Sequence, residues 1–122
     1  MKKLIFVVVA AALLHVPNAK AVYIGTFTAG GFYSVDVVAI SLVETAVTVM
    51  SVVRGRLQVD DVITVSGNLP ETNISIPAHA ERIILLVDTR GGPSLIRVRV
   101  NGGGLQEFSA DSEVRLVADV VP

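Results

Sequence analysis

The sequence predicts a mainly β domain, built either as a small barrel or as a sandwich. Segments rich in valine and isoleucine alternate apolar with polar residues, as in strands with one buried face. Glycine- and proline-containing turns separate these segments. Hydrophobic residues make up 52% of the 122 residues, which is enough for one small folded core.

The N-terminal residues 1–21 have the pattern of a secretory signal peptide. Lys2 and Lys3 precede residues 4–14, which are all apolar. This stretch is too short to cross a bilayer. Ala19 and Ala21 have the small-residue spacing of a cleavage site. We therefore expect cleavage after Ala21, a mature chain that starts at Val22 and has no membrane span, and a periplasmic location.

The next segments contain one loose region and one strand. Residues 22–33 include a Gly-Gly pair and are expected to form a flexible arm. Residues 34–122 then form a single domain, in which residues 34–43 are β-branched and predict a strand. Residues 44–58 are compatible with a short helix or with a strand, because apolar residues recur at helical spacing among valines that disfavour helix.

The middle of the domain contains two further strands. The pair Asp60-Asp61 predicts a turn, and the alternation over residues 62–69 predicts a strand. Residues 70–80 include two prolines and are expected to be a loop. Residues 82–87 are almost all apolar, which is typical of a strand buried on both faces.

The C-terminal third has the clearest alternation. Residues 88–93 predict a hairpin turn, and residues 95–101 predict a strand with Ile, Val and Val inward and polar residues outward. Residues 102–104 are three glycines and predict a flexible connection. Residues 114–120 predict the last strand.

Composition argues against several classes of function. The chain has no cysteine and no tryptophan, and all its lysines lie in the first 20 residues, so the remainder is acidic. This disfavours a nucleic-acid partner, whose phosphates need clustered cations. His79 has no nucleophile motif near it, so we expect no enzyme, no catalytic residue and no cofactor.

The remaining motifs are weak. Asp60 and Asp61 are adjacent and read as turn formers rather than metal ligands, so no metal site is expected. The glycines at 102–104 lack the context of a phosphate-binding loop. Asn73 starts a glycosylation sequon, which we disregard because the signal sequence has a bacterial character.

Four arginines form the candidate ligand site. Arg97 and Arg99 are two residues apart on one predicted strand and therefore share a face. Arg90 lies in the preceding turn and Arg82 on the preceding run. Guanidinium groups can pair with an anionic ligand. The alternative is a solvated face on which acids such as Asp88 or Asp119 pair with the arginines.

The order of several segments resembles a known family, the bacterial OB-fold proteins of periplasmic stress tolerance, YgiW/YdeI type. The similar segments span residues 48–120. They include residues 63–69, which read I-T-V-S-G-N-L and resemble the family's strand of the form V-x-V-x-G-x-I/L, and a D-x-x-G turn at residues 88–91. The resemblance implies an OB-like barrel with one short helix, in which residues 34–43 supply the fifth strand. It also implies a role in envelope stress tolerance, and it assigns no ligand-binding residue.

Two hypotheses for function follow. The first is a periplasmic binding protein that takes a small ligand, a cation or an envelope partner on the outer face of the 95–101 strand. The second is an immunoglobulin-like β-sandwich that acts as a structural or adhesive subunit, with strand addition at an exposed edge. Seven short strands would favour the sandwich, and five strands with a helix would favour the barrel.

Overall fold

The computed structural model describes residues 20–39, 44–90, 92–100 and 104–122. Every regular element in these ranges is a β-strand. Residues 1–19 of the expected signal peptide (residues 1–21) and the glycines 102 and 103 lie outside the described residues. The strands are β1 (Lys20–Thr28), β2 (Phe32–Ala39), β3 (Glu44–Val53), β4 (Arg56–Ser66), β5 (Leu69–Ser75), β6 (Ala80–Thr89), β7 (Ser94–Val100), β8 (Leu105–Ala110) and β9 (Glu113–Val121).

The strands form two sheets that enclose one hydrophobic core. The five-stranded sheet has the order β1-β9-β6-β3-β4, and the four-stranded sheet has the order β5-β2-β7-β8. Alternate residues of strands in both sheets meet in a single buried cluster, as in a β-sandwich. The largest fully buried side chains of this cluster are Tyr33, Phe27, Leu85, Ile96 and Leu116.

The mainly β class is confirmed, but the short helix is not formed. Residues 44–58 instead contain β3, a tight turn and the start of β4. Arg54 and Gly55 both have positive φ, as a two-residue hairpin turn requires. The described strands make two open sheets rather than a closed barrel.

Residues 22–33 are not the flexible arm that the sequence suggested. Most of them lie in β1, which pairs parallel to β9, and the last two begin β2. Ile24 and Phe27 are buried in the core between the sheets. The glycine that weakens the local strand pattern, Gly25, sits at a bulge where the pairing shifts register.

Two further expectations about the connections are wrong. Residues 70–75 lie in β5, so only residues 76–79 form the expected connection. Pro70 is tolerated because β5 is an edge strand that, among the described strands, pairs with β2 alone. Residues 88–93 do not close a hairpin, because β6 and β7 lie in different sheets. The chain instead passes from the five-stranded sheet to the four-stranded sheet at this point.

Asp60 and Asp61 do not form a turn. They lie within β4 beside a register shift opposite Val49 and Met50. Asp61 accepts a hydrogen bond from the backbone N–H of Val62 at 2.8 Å. The two acids therefore mark a β-bulge in an edge strand.

The strands with the clearest patterns are confirmed. β2 (Phe32–Ala39) covers residues 34–39 of the strand predicted at 34–43 and begins two residues earlier, and residues 40–43 lie outside the described part of the chain. β6 is buried on both faces over most of 83–87, and β7 and β9 bury their predicted inward residues. The polar residues of β7 therefore lie on the outer face of the four-stranded sheet, opposite the core.

The two sides of the sandwich are closed differently. On one side, the Gln106 amide of β8 donates a hydrogen bond to the carbonyl of Ile24 in β1 at 3.0 Å. On the other side, two residues link β4 to β5. The strand order is not that of an immunoglobulin domain, whose last two strands share a sheet, because β8 and β9 lie in different sheets.

Candidate functional site

The outer face of the four-stranded sheet carries the polar residues of β7. Ile96 and Val98 are fully buried, so Arg97 and Arg99 project from the opposite face, as the alternation predicts. Strand β2 places Asp36 directly opposite Arg97. The neighbouring strand β8 places Glu107 opposite Arg97 on its other side. The middle of this face is therefore a row of alternating charges.

Arg97 is held by an acid of the protein itself. Its Nε and Nη2 atoms lie 2.7 and 2.5 Å from Oδ2 of Asp36, whose side chain is only 13% exposed. The hydrogen bond and charge of Asp36 raise the pKa of Arg97, and Glu107 and Glu71 contribute in the same direction. Arg97 therefore has the structural role of the alternative interpretation, with Asp36 as its partner instead of Asp88 or Asp119.

Arg99 has no such partner among the described residues. Its cross-strand neighbours are Ser34 on β2 and Leu105 on β8, and neither is an acid. Among the described residues, no ion pair to Arg99 is formed. Its side chain is exposed and therefore remains available to an anion from solution.

A groove of about 350 Å³ runs along this face beside Arg99. Apolar and charged side chains both contribute to its walls. Val38 and Leu105 are exposed apolar residues at 39% and 43%, and Glu71 brings a carboxylate from β5. The full lining is Asp36, Val37, Val38, Asn68, Leu69, Pro70, Glu71, Arg97, Arg99 and Leu105.

Arg82 and Arg90 do not join this site. Arg82 lies on β6 in the other sheet, 3.5 Å from the Asp119 carboxylate opposite it on β9. Arg90 follows β6 and lies 3.5 Å from Glu44. The four arginines therefore do not form one stripe. Arg97 and Arg99 lie together on β7, whereas Arg82 lies on β6 in the other sheet and Arg90 directly follows β6.

The other candidate residues, His79, Asp60 and Asp61, do not line the groove. His79 is exposed in a turn between β5 and β6. Asp60 accepts a hydrogen bond from the Gln58 amide at 2.6 Å. Within the described ranges, no group of three His, Cys, Asp or Glu side chains could hold a metal ion. No helix in the described part of the chain is long and apolar enough to cross a membrane.

Sequence reasoning missed three residues that shape the groove. Asp36 was visible as the one acid in an otherwise apolar strand, which is a signal for a buried ion pair. Glu71 lay in a segment expected to be a loop. Leu105 follows the glycine run and begins β8, a strand that the sequence pattern did not indicate.

Comparisons with known proteins find no match. No family model, no curated protein and no solved structure is similar to this chain.

Proposed function

We propose that this chain is an exported, non-enzymatic binding protein whose groove takes a small organic ligand with an anionic group. The observation that carries this proposal is that Arg99 has no ion pair among the described residues. It lines the groove without an ion pair to a described residue, whereas Arg82, Arg90 and Arg97 each lie beside an acid. A guanidinium group in this position can pair with a carboxylate or phosphate through two parallel hydrogen bonds.

The groove also favours a ligand with an apolar body. Val38, Pro70 and Leu105 are exposed on its walls. A volume of about 350 Å³ is at the lower end of the range for small-molecule sites. Burial of apolar ligand atoms against these walls would add to the charge-assisted contact at Arg99.

The charges around the groove set the orientation of the ligand. Asp36 is neutralised by Arg97, so it does not oppose an anion at Arg99. Glu71 forms no ion pair with a described residue and would repel a second carboxylate. We therefore place the anionic group at Arg99 and a neutral or cationic end toward Glu71.

The lining supports binding rather than catalysis. The described groove residues include no imidazole and no hydroxyl nucleophile, and His79 is exposed in a turn between β5 and β6. Covalent catalysis by a hydrolase needs a nucleophile beside a base. Of the two carboxylates that line the groove, Asp36 is in an ion pair with Arg97, and Glu71 forms no ion pair with a described residue.

A matched pair of probes tests this proposal. Benzoate carries a carboxylate on a small apolar ring, and benzamide has the same shape without the charge. Saturation-transfer NMR on the purified protein should detect benzoate binding at millimolar affinity, about −4 kcal/mol. The signal should fall several-fold in high salt, with benzamide, and in Arg99→Gln.

The control variant is Arg82→Gln, which removes an exposed arginine of the other sheet. It should leave the benzoate signal unchanged. Equal signals for benzoate and benzamide, or equal losses in Arg99→Gln and Arg82→Gln, would contradict a site at Arg99.

The proposed location is the periplasm, supported by the signal pattern of residues 1–21. Cleavage after Ala21 would remove Lys20 and Ala21 from β1 and leave the pairing from Val22 to Thr28 with β9. A role in envelope stress tolerance rests on the resemblance of residues 48–120 alone and stays a prediction.

A structural or adhesive subunit is the second candidate. Two packed sheets and the uncharged free edge at residues 62–66 of β4 support it, because such an edge can accept a further strand. This candidate predicts assembly through β4, whereas ligand binding requires the groove on the other sheet.

A further inference from the structure

The outer edge of β4 is a free strand edge of unusual composition. Among the described strands, β4 is the last of its sheet and pairs with β3 alone. Beyond the bulge at Asp60 and Asp61, residues 62–66 read Val-Ile-Thr-Val-Ser. This stretch has no charge, no proline and no glycine, and three of its five residues are valine or isoleucine. Such an edge is a template for pairing with another strand.

The other edges in the described part of the chain are protected. β5 carries Pro70 near its start, and proline cannot donate to a neighbouring strand. β8 carries Glu107, and its Gln106 side chain is bonded to β1. β1 has a bulge at Gly25. These are the devices that natural sheets use against edge pairing. β4 has a bulge and two acids at residues 60–61, but residues 62–66 beyond them contain no bulge, charge or proline.

The same stretch leaves apolar surface incompletely covered. Ile63 and Val65 face the core but are only partly buried, because β4 is at the edge of the sheet that the described strands form. Val62 on the outer face is 55% exposed. A strand added at this edge would cover all three side chains and would pair with the free backbone groups of residues 63–66, whereas the Val62 N–H is already bonded to the Asp61 carboxylate.

We propose that residues 62–66 pair antiparallel with the same residues of a second copy of this chain, which joins the two five-stranded sheets into one continuous sheet. A two-fold axis makes such an interface self-complementary. The proposal does not depend on the groove, which lies on the other sheet.

The acids at the bulge fix the register. If Thr64 lies opposite Thr64 of the second copy, then Ile63 lies opposite Val65 on the core side. Asp61 then lies opposite Gly67, beyond the end of the partner strand. A shift of pairing toward the bulge would bring Asp61 against the uncharged strand. The register centred on Thr64 therefore uses the whole uncharged stretch and keeps the acids outside it.

Sedimentation velocity over a concentration series tests the association. Protein from cells that express the complete chain should approach twice the monomer mass as concentration rises. Thr64→Lys places a charge at the centre of the interface and should remain monomeric throughout. Ser109→Lys, an equivalent change at an exposed position of the edge strand β8, should associate as the unmodified protein does.

Cross-linking tests the register without a charge change. The chain has no cysteine, so Thr64→Cys introduces a single thiol. Directly opposed residues of paired strands are close enough for a disulfide, so mild oxidation should convert most of this variant into a covalent dimer. Ser109→Cys should stay largely uncross-linked under the same conditions.

Three results would overturn the proposal. They are a monomer at every concentration, association that Thr64→Lys leaves intact, or cross-linking that is equal in the two cysteine variants. If Thr64→Lys does not fold, the cysteine pair decides the question by itself.

Discussion

The hydroxyl group of Tyr33 gives a sharp test of the core between the two sheets. Tyr33 is fully buried, and its ring packs on Phe27 with a centroid distance of 5.3 Å. Its hydroxyl has no hydrogen-bond partner among the described residues. A buried hydroxyl without a partner costs about 1–3 kcal/mol. Tyr33→Phe keeps the ring and removes that cost, so we expect stability at neutral pH to rise by about 1 kcal/mol.

The effect should grow at alkaline pH. Burial, with a smaller contribution from the charge of Asp60, raises the pKa of Tyr33 well above its ordinary value of 10.0. Above pH 10 the unfolded chain loses this proton while the folded chain keeps it, so stability falls as pH rises. The slope from this residue is about 1.4 kcal/mol per pH unit until the folded-state pKa is reached.

Thermal and urea unfolding at neutral pH and above pH 10 measure both effects. Tyr33→Phe should raise the Tm by roughly 4–8 °C per kcal/mol gained and should remove the alkaline slope. Tyr23→Phe is the control, because Tyr23 is 60% exposed, and it should change neither quantity appreciably. A lower Tm for Tyr33→Phe would show that the hydroxyl makes a stabilising bond and would refute this reasoning.

Three other predictions concern the core, the outer sheet face and export. Leu85→Ala removes a fully buried side chain of β6 and should cost about 2–5 kcal/mol in urea unfolding, whereas a loss below 1 kcal/mol would place Leu85 outside the core. Asp36→Asn breaks the pair with Arg97 and should lower the Tm by more than Arg99→Gln does in scanning calorimetry, and the reverse order would make Arg99 the structural residue. Intact mass of protein from a periplasmic extract should correspond to a chain that begins at Val22, and full-length protein in the cytoplasm would contradict export.

Sequence periodicity predicted those strands that bury one face and expose the other. In β7 and β9 the buried residues alternate strictly with half-buried or exposed ones, so the pattern of period two is visible in the letters. β3 shows this pattern only from Glu44 to Val49, and from Met50 onward residues on both faces are buried. Val47 and Val49 face the core between the sheets, while Met50 is buried on the outer face with Ile84. Because β3 buries residues on both faces of its sheet, its apolar residues occur at spacings that also fit a helix. The sequence pattern therefore left a helix open.

Non-local pairing explains the other differences. β1 contains a glycine and is stabilised by parallel pairing to β9 at the far end of the chain. β5 contains a proline that its edge position tolerates. The alternation of apolar and polar residues alone predicted that Arg97 and Arg99 share the outer face. It did not predict the partner of Arg97, because Asp36 is 61 residues away in the chain and lies opposite Arg97 only through a strand register that local sequence does not specify.

The most direct test of the groove is a map of amide chemical shifts during titration with benzoate. If the ligand binds at Arg99, the largest shifts should cluster on β7, β8 and the start of β5, around Arg99, Leu105 and Glu71, and Arg99→Gln should abolish them. Shifts that centre on Arg82 and Asp119 in the five-stranded sheet, or that persist in Arg99→Gln, would contradict the proposed site.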